Sequence, residues 1–183
     1  MSFMTQLNEE GARLQDGIRP DLRLEDVRVR PYGVTDGPRL RRMSDRLSPA
    51  SLFARFFTGS PHIPETYVHR LEGIDHWDHE ALVALLDDDI VGVAEYVRDR
   101  ADPRRAELAV LVVDPWQHRG VGRLLVCCLA HTALRRGVTA FGAEILPDNR
   151  AALAAVRSCW PFARPRYADG SAVFHLPLLP AAA

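Results

Sequence analysis

The stretch from Glu107 to Arg136 constrains the fold of this chain more than any other. Glu107-Leu-Ala-Val-Leu-Val-Val113 is an almost unbroken apolar run of the length and composition of a buried strand. A short loop, Asp114 to Arg119, leads to Gly120 and Gly122, and a helical pattern opens on these two glycines. Val121, Leu124, Leu125, Cys128, Leu129, Thr132 and Ala133 share one face of that helix, and Gly137 stops it. A strand feeding a helix in this way gathers unpaired main-chain N–H groups and a positive dipole end at one spot, which suits a pyrophosphate. Gly120 and Gly122 keep Cβ atoms out of its path, and Arg119 and Arg123 flank the mouth with guanidinium groups.

Two common phosphate loops do not fit this stretch. All 23 cationic side chains, excluding His, are Arg, so a Walker loop with its Lys is absent, as is a Schiff-base lysine. A dinucleotide fingerprint needs a third glycine where Leu125 stands and a tight turn directly after the strand. Glu144 lies at about the distance at which that fingerprint places its acid, but it falls inside the next strand. A nicotinamide enzyme is therefore a weaker reading.

The rest of the chain reads as one α/β domain. Residues 1–24 are a polar extension with room for one short helix, Met4 to Leu14, and residues 25–179 form the domain. Val27 to Arg30 alternates as a first strand, and Pro38 to Leu47 has helical spacing. Ser48-Pro49 caps a second helix through Phe57. Thr58 to His79 reads as an irregular loop over a binding surface. Strands follow at Ala81–Leu86, Ile90–Val97 and Glu107–Val113. The long helix comes next, then a strand at Phe141–Leu146, a helix over Asp148–Ser158 and a last strand at Ser171–Leu176. Hairpin-joined strands followed by βαβ crossovers predict a mixed, mostly antiparallel sheet of about six to seven strands with helices on both faces.

Gln117-x-x-Gly120-x-Gly122, after a strand and before a helix, resembles the pyrophosphate loop of the GNAT N-acetyltransferase superfamily. Leu47 to Phe57 resembles the second-helix signature of its bacterial protein-lysine acetyltransferase branch. Glu144-Ile-Leu-Pro-Asp-Asn-Arg150 resembles the fifth strand and the Asn-bearing helix start of that family. The resemblance implies a GNAT fold with acetyl-CoA held at Gln117, His118, Arg119, Gly120, Val121, Gly122 and Arg123. The His118 side chain has no assigned chemistry. It also implies backbone contacts to the thioester and pantetheine arm from Leu111, Val112 and Val113, with Asn149 near the thiol end and a V-shaped opening between the fourth and fifth strands. The implied reaction is direct attack of a primary amine on the thioester. Glu107, near the start of the fourth strand, takes the position of the family's base; Glu144 is the alternative.

Bland roles compete with these assignments. Glu107 can pair with Arg104 or Arg105, Glu144 can join a cross-strand ion pair, and Asn149 can simply cap its helix. Glu107 shares a strand face with Ala109, Leu111 and Val113, so an apolar setting is expected to raise its pKa. Many family members carry a Tyr as general acid where this chain has Val156, so the thiolate is expected to leave unassisted or to take a proton from water. Without that Tyr, a non-catalytic acyl-CoA sensor or scaffold is the alternative function. Asp75-His76-Trp77-Asp78-His79-Glu80 has residue types that can bind zinc, but no sequence element fixes ligand geometry and such strings are usually solvated turns, so no metal is expected.

A net charge of −1 gives no reason to expect nucleic acid or an acidic membrane as partner. Three cysteines, two of them adjacent, make no disulfide framework, and residues 1–19 do not form a secretory signal. A cytoplasmic, bacterial protein is expected. It would be a monomer or homodimer acting on a small amine or a protein lysine.

Overall fold

The computed structural model describes residues 23–178. Seven strands, β1 (Arg28–Pro31), β2 (His79–Leu86), β3 (Asp89–Arg98), β4 (Arg105–Val112), β5 (Ala140–Ile145), β6 (Arg166–Ala168) and β7 (Ser171–Pro177), form one sheet in the order β1-β2-β3-β4-β5-β7-β6. The helices are α1 (Gly37–Met43), α2 (Pro49–Phe56), α3 (Glu65–Glu72), α4 (Val121–Arg135) and α5 (Arg150–Cys159). Every strand pair is antiparallel except β4–β5, where α4 supplies the crossover that parallel neighbours require. This is the mixed, mostly antiparallel α/β sheet that the strand order implies.

Alternation along β3 assigns the two faces. Gly92 faces α4 so closely that a Cβ there would lie 2.9 Å from Leu125 Cδ1 and 3.2 Å from Val121 Cγ1. The helix can therefore lie directly on the sheet. Glu95, three residues on, points to the opposite face, towards α2 and α3. The core runs through both layers, with Trp116, Leu125, Leu129 and Phe141 closed off on all sides.

Several local expectations hold. Ser48 caps α2 by accepting from Ser51 N at 3.2 Å, with Pro49 first in the helix. Gly137, at φ +84°, ends α4. The stretch from Thr58 to His79 departs from its reading as loop, because its middle is helix α3. Pro64 stands at the N-cap, Tyr67, Val68 and Leu71 are buried, and Gly73 closes it. Helical apolar spacing is present there, but over two turns only, inside a polar, proline-rich context. A second addition is β6, joined to β7 by Asp169-Gly170, both at positive φ, as a two-residue hairpin requires. The proposed helix Met4 to Leu14 and most of the extension lie outside the described residues.

Candidate active site

The pairing between β4 and β5 is short. Arg105, Ala106 and Glu107 pair with Ala140, Phe141 and Gly142, and there the ladder stops. β5 continues along β7 to Ile145, and β4 continues along β3 to Val112. The two strands therefore splay beyond Glu107 and leave an opening with Glu107 and Gly142 at its vertex.

The outer edge of β4 lines this opening. Val113 N donates to Val91 O at 3.0 Å, so Val113 faces β3, and alternation turns Leu111 the same way. Of the three backbone groups expected to meet a pantetheine arm, Val112 is thus the one on the gap side, together with Val110 and Leu108. The Leu111 and Val113 amides are engaged in the ladder to β3, so the edge available to an added strand is offset by one residue from the sequence-based expectation.

At the far end of β4, Gln117 is an anchor. Its Nε2 donates to Val112 O at 3.1 Å, Ser51 Oγ at 3.0 Å and Asp114 Oδ1 at 3.2 Å. Asp114 in turn accepts from Ser51 Oγ at 2.7 Å and Ser48 N at 3.2 Å. The loop is thereby tied to the start of α2. From this anchor the chain bends through His118 (φ +58°) and Gly120 (φ +90°) into α4. Among the described residues, the amides of His118 through Arg123 have no hydrogen-bond acceptor. They form a run of free donors at the positive end of a fifteen-residue helix.

The two glycines differ in role. Gly120 has a backbone conformation that favours glycine, and a Cβ there would also approach Leu24 Cδ2 to 3.0 Å. Gly122 faces the sheet, where a Cβ would meet Val112 Cγ2 at 3.7 Å, an ordinary contact. Its smallness serves helix–strand packing. Arg119 and Arg123 flank the donors, whereas the Val121 side chain is buried against Gly92; the Arg119 guanidinium lies over the Trp116 ring at 5.3 Å, and Arg123 is exposed.

Glu107 keeps solvent contact, yet its carboxyl folds over Gly142, where an added Cβ would stand 2.9 Å from Oε2. Partial desolvation raises its pKa above the usual value, the charge of Glu144 adds to this, and Arg105 opposes it. Glu144, exposed on β5, acts as this electrostatic neighbour. No pairing of Glu107 with Arg104 or Arg105 occurs among the described residues. A hollow of about 260 Å³ lies at the vertex, bounded by Val97, Arg98, Asp99, Arg105, Glu107 and Gly142.

Asn149 caps α5: its Oδ1 accepts from Ala152 N at 3.0 Å. Val156, at the position of the family's Tyr, is buried, and burial pushes the Cys159 thiol up, as does Cys127. His76 contacts Glu80 at 2.8 Å and His79 contacts Glu95 at 2.6 Å, so the acidic–histidine string divides between two buried carboxylates. Sequence reasoning missed Gly142 and the group around Glu95. A glycine inside a strand was the available signal for the first. The second joins β2, β3, α2 and α3, and no local pattern reveals it.

The chain matches the Acetyltransferase (GNAT) family over residues 48–159. It is 30% identical over 115 residues to Acetyltransferase PA5475 of Pseudomonas aeruginosa, a match spanning 61% of this chain and 61% of that relative's length. The GNAT domain of S. lividans PAT superposes with a TM-score of 0.77 at 30% identity, over 83% of this chain and 90% of that one. yncA of Salmonella typhimurium, solved with its cofactor acetyl-CoA, shares the fold at 18% identity and a TM-score of 0.67, over 86% of this chain and 97% of that one. No helix among the described residues is long and apolar enough to cross a membrane. By the match over most of its length and by the splayed sheet, the chain belongs to the GNAT acetyltransferase family.

Proposed function

We propose that this protein transfers the acetyl group of acetyl-CoA to a primary amine, by direct attack of the amine on the thioester. The observation that carries this reading is the run of acceptor-less amides from His118 to Arg123 at the mouth of a gap that ends on Glu107. A diphosphate fits such donors, and Arg119 and Arg123 add charge beside them. The free edge of β4, with the amides of Val112, Val110 and Leu108, suits an extended pantetheine arm that adds as a strand. The thioester then lies near the vertex, where one of these amides can donate to its carbonyl oxygen.

An amine arrives protonated at neutral pH. Glu107, directly or through a water, takes its proton. The amine nitrogen attacks the carbonyl carbon and the C–S bond breaks; the new amide nitrogen gives up its remaining extra proton to water, and water returns a proton to the departing thiolate, so that the net proton released is the one first taken by Glu107. A raised pKa suits Glu107 to this task, since it brings the carboxyl closer to the operating pH. Asn149 has a capping bond to make, so its part in binding the cofactor is at most through the remaining amide nitrogen.

The acceptor, a small amine or a protein lysine, is the finer part of the proposal; the resemblance of Leu47 to Phe57 to the protein-lysine acetyltransferase branch favours the lysine. Coenzyme A release with a panel of amines and lysine peptides tests the reading. Turnover that disappears in Glu107→Gln while acetyl-CoA still binds is the expected result. Binding without turnover on any acceptor would leave an acyl-CoA sensor.

A further inference from the structure

The face of the sheet that carries Glu107 also carries an unbalanced positive cluster. Glu95, with its side chain 3% exposed, accepts from Arg70 Nη2 at 3.1 Å and from Arg55 on one oxygen, and meets His79 Nε2 at 2.6 Å on the other. Ala81 and Ala109 stand opposite Glu95 on the neighbouring strands, and their small side chains leave space for two guanidinium groups over the sheet. Two arginines share one carboxylate, so the group retains a positive charge even with neutral His79.

Each guanidinium has donors left over. Of five N–H groups apiece, Arg55 and Arg70 each direct only Nη2 to Glu95, and neither has another carboxylate partner among the described residues. Arg55 is 17% exposed at its side chain and Arg70 52%, so Arg70 presents its unused fork to solvent. Its orientation is fixed from behind: the guanidinium rests 5.1 Å from the Tyr67 ring centre. It is a held charge with open donors, unlike an ordinary surface arginine.

The register relates this charge to the base. Glu95 pairs with Ala109, and Glu107 is two residues earlier on the same strand and face. That is one diagonal step, roughly 7–8 Å between backbones. A cationic amine drawn to Glu107 and the held guanidinium of Arg70 thus lie over the same face of the sheet. The two poles match a molecule that carries an anion as well as its amine.

Resting on the acetyl-transfer reading above, we propose that the acceptor is anionic near its reacting amine, and that Arg70, held by Glu95 and backed by Arg55, determines this specificity. A carboxylate is the chemistry that a guanidinium fork recognises best, through paired N–H···O bonds. It can belong to a free amino acid or to an acidic residue beside a protein lysine.

Steady-state coenzyme A release with matched acceptors tests this. One arm uses a free α-amino acid and its primary amide. The other uses a lysine peptide with Glu next to the lysine and the same peptide with Gln. The acidic member of at least one pair should be preferred tenfold or more in kcat/KM, and the arm in which this occurs identifies the source. Arg70→Gln should raise KM for the acidic member by about that factor, with kcat little changed. It should leave the neutral member and acetyl-CoA affinity alone, and Arg70→Lys should recover part of the loss. Equal use of both members in both arms by the native protein, or an equal loss on both in Arg70→Gln, overturns the inference while acetyl transfer stands. Failure of every acceptor despite bound acetyl-CoA overturns the acetyl-transfer reading itself, and this one with it.

Discussion

Glu107 is the proposed base, and its environment makes a two-sided prediction. Its pKa is raised by partial desolvation and by Glu144, and lowered by Arg105. A base must be ionised to act, so kcat/KM should rise with pH through a limb above that of an ordinary Glu. Glu144→Gln should move the limb down in pH and Arg105→Gln should move it up; a limb that ignores both substitutions would separate Glu107 from the rate. The same shift has the opposite consequence for folding. A carboxyl whose folded pKa exceeds its unfolded value favours the fold at low pH and loses that contribution as pH rises through the folded pKa. Glu107→Gln should therefore cut kcat/KM by about 10²–10⁴ without lowering Tm at pH 7. Gly142 bears on the same atom: Gly142→Ala places a methyl 2.9 Å from Oε2, so it should reduce kcat and leave acetyl-CoA affinity in place. Glu107 stood out as a candidate in the sequence through the resemblance to the GNAT family, which points to a Glu near the start of the strand before the glycine loop. Gly142 did not, since its meaning depends on a neighbour across a parallel pairing of three residues.

Among the elements, the loop between β4 and α4 depends on Gln117. Its bonds to Val112 O, Ser51 Oγ and Asp114 Oδ1 join the gap edge, the start of α2 and the turn that leads into α4. Gln117→Ala removes these at about 1–2 kcal/mol and frees the donor run to move. Acetyl-CoA affinity should fall by roughly tenfold, the equivalent of that energy, while kcat at saturation changes little; unchanged affinity in a calorimetric titration would contradict this role. Sequence reasoning recognised the residue type and spacing and placed Gln117 in the proposed pyrophosphate loop; the bonds of its side chain to neighbouring elements leave no local pattern. The capping of α2, the stop at Gly137 and the crossover helix were all readable because each is encoded within a few residues. Helix α3 was not, because two turns with three buried side chains give too little periodicity against Pro61, Pro64 and Gly73. Its stability derives from packing against α1 and, through Tyr67 on Phe56, against α2, which is a property of the fold.

For the whole molecule, Glu95 ties β2, β3, α2 and α3 into one wall of the site. Burial alone would raise its pKa, but the hydrogen bond from His79 and the charges of Arg55 and Arg70 outweigh this and hold it low. A depressed carboxyl contributes stability at pH above its unfolded pKa, and that contribution fades as pH falls through the folded value. Glu95→Gln should cost on the order of 3 kcal/mol at neutral pH, because it strands the largely enclosed Arg55 guanidinium. The gap to the native protein in urea unfolding should narrow below the usual carboxylate range; a constant gap would mean that ionisation plays no part. The central claim is that main-chain amides at the start of α4 hold a diphosphate and that the splayed edge of β4 takes the arm attached to it. Backbone amide NMR during titration with acetyl-CoA tests this most directly. The account predicts large, saturable shifts at His118 through Arg123 and at Val110 and Val112, with β1 and β2 nearly silent. No saturable shift, or shifts that spare the turn from His118 to Arg123, would contradict it.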